Sequence, residues 1–395
     1  MIQIHGYVDP KFSLIADAFS DNFKYHGEIG ASLCVYYNHE LIIDIWAGYK
    51  DIKNKLAWNE NTVVPFFSST KAVFASCMAL CHSRGLFNYS DKVSDHWKEF
   101  GVNGKENITI EQLLQHRAGL PAIDKKLDKE IIRDREYLET IIEKQKPHWT
   151  PGDYQGYHPW NIGWFISVLL SRIDPKKRRL KEFLEQEILP YISGDLRIGV
   201  DDDYPWDNVA KLIPIPKTKI LSMPFIFVKE FFNPWSLTFK SMLNPLFVIN
   251  HANFNKKEIL KLEIGGGGGI GNARGLASLL DGMSNPKHPL KLEQNTLDYL
   301  YEYPEPPTYG YRDRILKLQA FRFHAGFLKP SINHEFSKSQ KAYGGFGAGG
   351  SFVVSDPEHG LTMAYTMNKM EGDLMNFKRE LNIRNAVYKT IDNRL

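Results

Sequence analysis

Apolar positions alternate or run together near both ends of the chain and recur at helical spacing in its middle. Residues 29–37 (IGASLCVYY) and 41–46 (LIIDIW) read as two strands linked through Asn38, His39 and Glu40. Residues 351–354 and 361–367 read as a second hairpin, with Asp356, Pro357 and Gly360 supplying the turn. A further strand is expected over 321–328 and a closing helix over 374–392. Between them, helical periodicity covers 70–83, 109–115, 134–144, 162–173 and 178–189, and Gly85 stops the first of these. Strands at both ends with helices between predict an α+β fold. The sheet is antiparallel, drawn from both termini and flanked by helices, with a helical region inserted. We expect a single domain. Its sheet part lies at about 1–65 and 270–395, its helical insert at about 66–195. An irregular excursion at about 195–265, rich in Pro, Phe and Asn, covers a cleft.

Composition removes several function classes. With 395 residues, 43% hydrophobic and 24% charged, the chain is globular rather than disordered or fibrous. A net charge of +3 is too small to argue for a nucleic-acid partner, and the basic cluster at 176–179 reads as a solvated helix start. No apolar run reaches the ~18 residues of a membrane span; the nearest, 220–232, is broken by Pro224, Lys229 and Glu230. The opening MIQIHGYVDPKF has no basic stretch followed by an apolar run. Only Cys34, Cys77 and Cys81 occur, so a reducing, cytoplasmic setting is expected. The thirteen histidines show no paired metal spacing, and no metal is expected. Residues 265–271 and 345–350 both fit G-x-G-x-x-G, but the first run follows the charged 256–263, and although Glu293 lies at about the distance a dinucleotide site needs, the Pro- and Lys-rich stretch before it is a poor strand. The first run reads instead as a close backbone approach at the cleft edge, ahead of a helix at 273–280. No cofactor is expected.

The chemistry centres on Ser68-Ser69-Thr70-Lys71, which opens the helix at 70–83. A serine hydroxyl needs a base beside it to act as a nucleophile. Positions i and i+3 share a helix face, so Ser68 and Lys71 point the same way. A lysine serves as base only when burial or a neighbouring cation lowers its pKa.

Five segments in order carry a resemblance to the serine β-lactamase and penicillin-binding-protein superfamily, in its branch of esterases similar to class C β-lactamases. They are 27–48 (GEIGA…DIWAG), 66–71 (FFSSTK), 108–121 (ITIEQLLQHRAGLP), 151–164 (PGDYQGYHPWNIGW) and 344–351 (GGFGAGGS). The resemblance implies Ser68 as nucleophile and Tyr157 as the tyrosine of the second motif. Either Lys71 or a Tyr157 phenolate is then the base, and the sequence leaves that open. It also implies an oxyanion hole from the backbone N–H groups of Ser68 and Ala348. Gly345, Phe346 and Gly347 fall where relatives carry K-T-G, H-x-G or W-G-G. Gly345 offers no cation for a substrate carboxylate, and Pro159 replaces the second-motif asparagine. A lysine at 345 is expected to recover part of that binding if the backbone accepts a side chain. The surviving site suits neutral acyl groups, walled by Phe67, Trp160 and Phe346. The expected activity is hydrolysis of a small-molecule carboxylic ester through an acyl-enzyme. The alternatives are a β-lactamase or D-alanyl peptidase, and a catalytically weak scaffold. His116 is expected to be a structural hydrogen-bonding residue.

Overall fold

A computed structural model describes residues 2–392 apart from 320, 333 and 373–376. Its main sheet is antiparallel and, among the described residues, nine-stranded. The strands are β1 (Ile4–Val8), β2 (Gly30–Tyr37), β3 (Glu40–Asp51), β4 (Leu56–Ala57), β8 (Arg322–His324), β9 (Phe327–Lys329), β10 (Tyr343–Phe346), β11 (Phe352–Asp356) and β12 (Leu361–Met367). Their order is β1-β3-β2-β12-β11-β10-β9-β8, with β4 beside β3. A second, three-stranded sheet joins β5 (Val64–Pro65), β7 (Gly269–Gly271) and β6 (Leu196–Ile198), in that order.

The central strands are buried on both faces, which is why they read as continuous apolar runs. Ala31, Leu33 and Val35 of β2 face one core, with Phe12, Ile15 and Phe19 at or near helix α1 (Ser13–Tyr25) and Ile383 and Val387 of the C-terminal helix at Lys378–Asp392. Cys34 faces the other core, which holds helix α2 (Thr70–Ser83), helix α3 (Ile162–Ile173) and helix α4 (Ala273–Ser284). The α2 helix is buried from Thr70 to Cys81, as expected of a helix apolar all round. The result is helices, sheet, then a larger helical layer, with α2 at its centre.

The expected 109–115 and 134–144 helices span Ile110–Leu114 and Arg135–Lys144. Thr109 accepts from the Gln112 N–H at 3.1 Å and Asp134 from the Tyr137 N–H at 2.9 Å, which places the preceding residue outside each helix as its cap. Four expectations need correction. The strand at 321–328 is a hairpin, because Ala325 and Gly326 take φ of 50° and 89° and turn β8 into β9. The helix at 178–189 is α-helical only at Leu180–Phe183 and continues as a π turn. The basic cluster at 176–179 is not simply solvated: Arg178 is buried, 2.7 Å from Asp174 and also paired with Glu187. The closing helix begins at Lys378, and residues 374–376 of the expected span lie outside the described residues. Sequence reading also missed β1 and α1, although Ile15, Ala18, Phe19 and Asn22 follow helical spacing.

Candidate active site

The chain reaches Ser68 through a sharp corner. β5 ends at Pro65, the Phe66 N–H donates to Gly269 O at 3.0 Å, and Phe67 turns the backbone at φ 47° into the single 3₁₀ turn Phe67–Ser69. A bulky residue at positive φ is strained by roughly 1–2 kcal/mol. Packing offsets the strain: the Phe67 ring meets His251 and Phe254 edge-on at 5.1 and 5.0 Å, and the Thr70 hydroxyl donates to Phe67 O. Phe67 is therefore 1% exposed and a core residue, not a cleft wall as the sequence suggested. Ser68 itself is half-buried between two buried neighbours.

The structure brings Ser68, Lys71 and Tyr157 together. Ser68 Oγ accepts from the Tyr157 hydroxyl at 2.8 Å and lies 3.2 Å from Lys71 Nζ. Lys71 Nζ also donates to the carbonyls of Pro159 at 2.8 Å and Gly266 at 2.6 Å. Burial pulls the Lys71 pKa well below the ordinary lysine value, with no carboxylate among the described residues to offset it. Burial pushes the Tyr157 phenol the other way, above its ordinary value, with only a partial offset from Ser68. The Lys71 nitrogen sits 4.7 Å from the Tyr157 ring centre.

Several supporting residues carry no sequence signal. Asp313 is fully enclosed and accepts the Tyr157 N–H at 2.9 Å and the Ile315 and Leu316 N–H groups at 2.8 Å. Burial pushes its carboxyl up to about 6. The run Tyr311-Arg312-Asp313-Arg314 looks like an ordinary polar loop, so nothing marks Asp313 beforehand. Ser69 Oγ lies 3.2 Å from both Ser351 O and Ser351 Oγ, and Ser351 Oγ donates to Phe66 O at 2.8 Å. These bonds fasten the turn after β10 to the corner at Ser68. The Gly347 N–H donates to Ser351 O at 2.8 Å, closing that turn over Ala348. Among the described residues neither the Ser68 nor the Ala348 backbone N–H meets an acceptor. His116 Nδ1 accepts the His158 N–H at 3.1 Å, and both rings stay neutral because burial penalises their charge.

Gly345 does not line an open cleft. A Cβ placed there would stand 2.9 Å from Ala72 Cβ and 3.3 Å from Ser69 O. Its φ is not in the left-handed region, so the constraint is space: β10 lies directly against the start of α2. A lysine there has no room, which corrects the expectation that it would recover carboxylate binding. Phe346 points to the opposite face and packs on His334, Phe336 and Phe352 at 4.1, 5.1 and 5.7 Å. Trp160 donates its indole N–H to Met242 O at 3.1 Å and stacks on Phe254. The glycine run at 265–271 makes the close approach expected of it: a Cβ on Gly163 would stand 2.2 Å from Gly265 C and Gly266 N, and one on Gly266 would stand 2.4 Å from Trp160 O. An open cavity of about 590 Å³ lined by Gln115, Arg117, Glu302 and His324 includes none of Ser68, Lys71 or Tyr157.

Comparison with known proteins follows the same lines. The model of the family described as "Beta-lactamase" matches residues 15–388. The chain is 25% identical over 376 residues to the esterase/beta-lactamase LipL of Mycobacterium tuberculosis, covering 94% of this chain and 85% of that protein. A family VIII carboxylesterase superposes with a TM-score of 0.84 at 24% identity, covering 98% of this chain and all of the other. A penicillin-binding-protein homologue from Caulobacter crescentus superposes at 0.83 with 27% identity and the same coverage.

Proposed function

The chain belongs to the beta-lactamase family, and on that premise we propose that it hydrolyses carboxylic esters through an acyl-enzyme on Ser68. The observation that carries this reading is the Ser68 hydroxyl held between a buried lysine at 3.2 Å and a tyrosine at 2.8 Å. The proton positions follow from counting donors. A neutral lysine amine has two N–H groups and one lone pair. The Pro159 and Gly266 carbonyls take both N–H groups, which leaves the lone pair for the Ser68 O–H. Tyr157, held protonated by burial, donates to the same oxygen. Lys71 is then the base, and the Tyr157 phenol passes a proton to the departing alkoxide.

Attack by Ser68 Oγ on the ester carbonyl forms a tetrahedral oxyanion, which the free N–H groups of Ser68 and Ala348 stabilise. Collapse expels the alcohol and leaves the acyl group on Ser68. The proton that Lys71 took from Ser68 restores the Tyr157 phenol, so both groups regain their resting states; water then attacks the acyl carbon and gives its proton to Lys71, which returns it to Ser68 Oγ as the acid departs. With no room for a cation at Gly345, neutral acyl groups are favoured over β-lactam carboxylates. The three buried thiols support a reducing, cytoplasmic setting.

The test is Ser68→Ala assayed on p-nitrophenyl butyrate and nitrocefin, with a fluorophosphonate probe on the native protein. Labelling at Ser68, loss of ester turnover in the variant and slow nitrocefin turnover in the native protein are expected. Labelling elsewhere, or full activity in the variant, overturns the assignment.

A further inference from the structure

The excursion at 195–265 has two contrasting sides. Its inner side touches the site. Ser241 Oγ donates to Tyr157 O at 3.3 Å, Met242 O accepts from Trp160, and His251 and Phe254 brace Phe67. Its outer side is apolar and uncovered. Trp235, Phe225 and Leu221 are 85%, 83% and 68% exposed, three of the four most exposed large apolar side chains among the described residues.

The short helix Phe225–Phe231 shows how the sides separate. At about 100° per residue, Phe225, Ile226, Lys229 and the following Phe232 fall on one side, while Phe227 and Phe231 fall on the other. Phe227 is buried, whereas Phe225, Ile226, Lys229 and Phe232 are all exposed. The apolar stripe facing water is therefore additional to the one facing the protein. Between residues 217 and 249 the chain carries four lysines and one glutamate. That glutamate, Glu230, turns toward Lys317 at 3.9 Å and Lys240 pairs with Asp124 at 3.4 Å, while Lys229 stands exposed among the rings of the outer face.

We propose that this face docks on an anionic lipid–water interface and presents the ester site to lipid substrates there; the substrate class, though not the docking, rests on the esterase reading. Aromatic side chains around a lysine suit the headgroup boundary, where rings enter the acyl layer and the Lys229 ammonium group meets lipid phosphates. The helix Phe225–Phe231 packs on the helix Leu237–Met242, which holds Tyr157 O and the Trp160 indole. Docking thus places the lipid one helix away from the nucleophile.

The docking test uses the full chain as Ser68→Ala, so that turnover plays no part. It is mixed with vesicles of equal parts phosphatidylglycerol and phosphatidylcholine, and with phosphatidylcholine alone. Sedimentation with the anionic vesicles is expected, with a blue shift in tryptophan emission that Trp235→Phe removes. Phe225→Ser combined with Phe232→Ser should lower the partition coefficient at least tenfold, and Lys229→Gln should lower it about fivefold. In the active background, the double serine variant should keep its rate on dissolved p-nitrophenyl butyrate and lose it on tributyrin emulsion. Failure to sediment, binding equal on neutral vesicles, or binding indifferent to these substitutions overturns the proposal. So does a dimer in solution that the serine substitutions dissolve, because the face would then belong to a second copy. Vesicle binding without esterase activity overturns the esterase reading and leaves the docking standing.

Discussion

Adding one methyl group at position 345 tests how the nucleophile is positioned. The Cβ of Gly345→Ala would lie 2.9 Å from Ala72 Cβ, where ordinary contacts run 3.4–4 Å, so β10 and α2 must separate by at least about 0.5 Å. Overpacking of this kind costs about 1–3 kcal/mol. Because Ser68 and Lys71 both ride on the start of α2, the separation also shifts them against Tyr157, which meets Ser68 Oγ at 2.8 Å. Misplacing a catalytic group by about 1 Å costs about 100-fold, so a shift of half that size should lower kcat/KM for p-nitrophenyl butyrate about tenfold. Ala72→Gly removes the obstructing methyl at its own cost of about 1 kcal/mol, as glycine in a helix interior. The double variant should therefore be more stable than the two single costs predict, by at least about 1 kcal/mol, and should regain activity. Chemical denaturation and steady-state kinetics on all four proteins measure both effects. Stability costs that add to within about 0.5 kcal/mol would refute the argument, because uncoupled sites behave that way.

Lys71→Met and Tyr157→Phe should each lower kcat by several orders of magnitude with little change in KM, and the double variant by far less than the product; independent losses on ester assay would separate the two roles. Lys71 has a lowered pKa in the folded protein, so between that value and the ordinary lysine pKa the unfolded chain binds the extra proton and stability rises with pH. Lys71→Met should flatten that rise in denaturation curves taken from pH 7 to 10. For Asp313, raised to about 6, the folded state holds the extra proton between about pH 4 and 6, and stability falls as pH rises through that window; Asp313→Asn should remove the slope and lower kcat about tenfold by releasing the Tyr157 N–H. Arg379→Met strands the buried Glu28 carboxylate, 2.6 Å from Arg379, and should cost about 3–5 kcal/mol in urea titration unless Glu28→Gln accompanies it.

The elements legible in the sequence were those with an unbroken apolar pattern. The β12 strand and the α3 helix fall at the expected bounds because each is buried along nearly its whole length. The 321–328 hairpin was hidden because its turn needs two positive φ values, and only Gly326 advertises one. Within the site, side chains set by a motif were readable: Lys71 and Tyr157 both stand within hydrogen-bonding distance of Ser68 Oγ. The supports were not. Pro159 and Gly266 act through carbonyls, Asp313 through backbone N–H groups, and Ser351 through a contact 285 residues away from Phe66. Gly345 was misread for a related reason, since a missing side chain leaves no sequence record of what it makes room for.

The sheet order has a consequence for how the chain is made. The β2 strand acquires β3 at once, but its other neighbour is β12, which leaves the ribosome more than 320 residues later. At ~5–20 residues per second, that delay is on the order of tens of seconds. Throughout it, the apolar edge at Ala31, Leu33 and Val35 has no strand to pair with and invites association with other nascent chains. The turn at 347–351 that bolts onto Ser69 is also translated late. A chain broken off before residue 361 therefore holds the nucleophile and the lysine without the sheet that positions them. Hydrolytic competence waits for the strand at Leu361–Met367, so a copy terminated before it is a target for chaperones and proteases rather than a miniature enzyme.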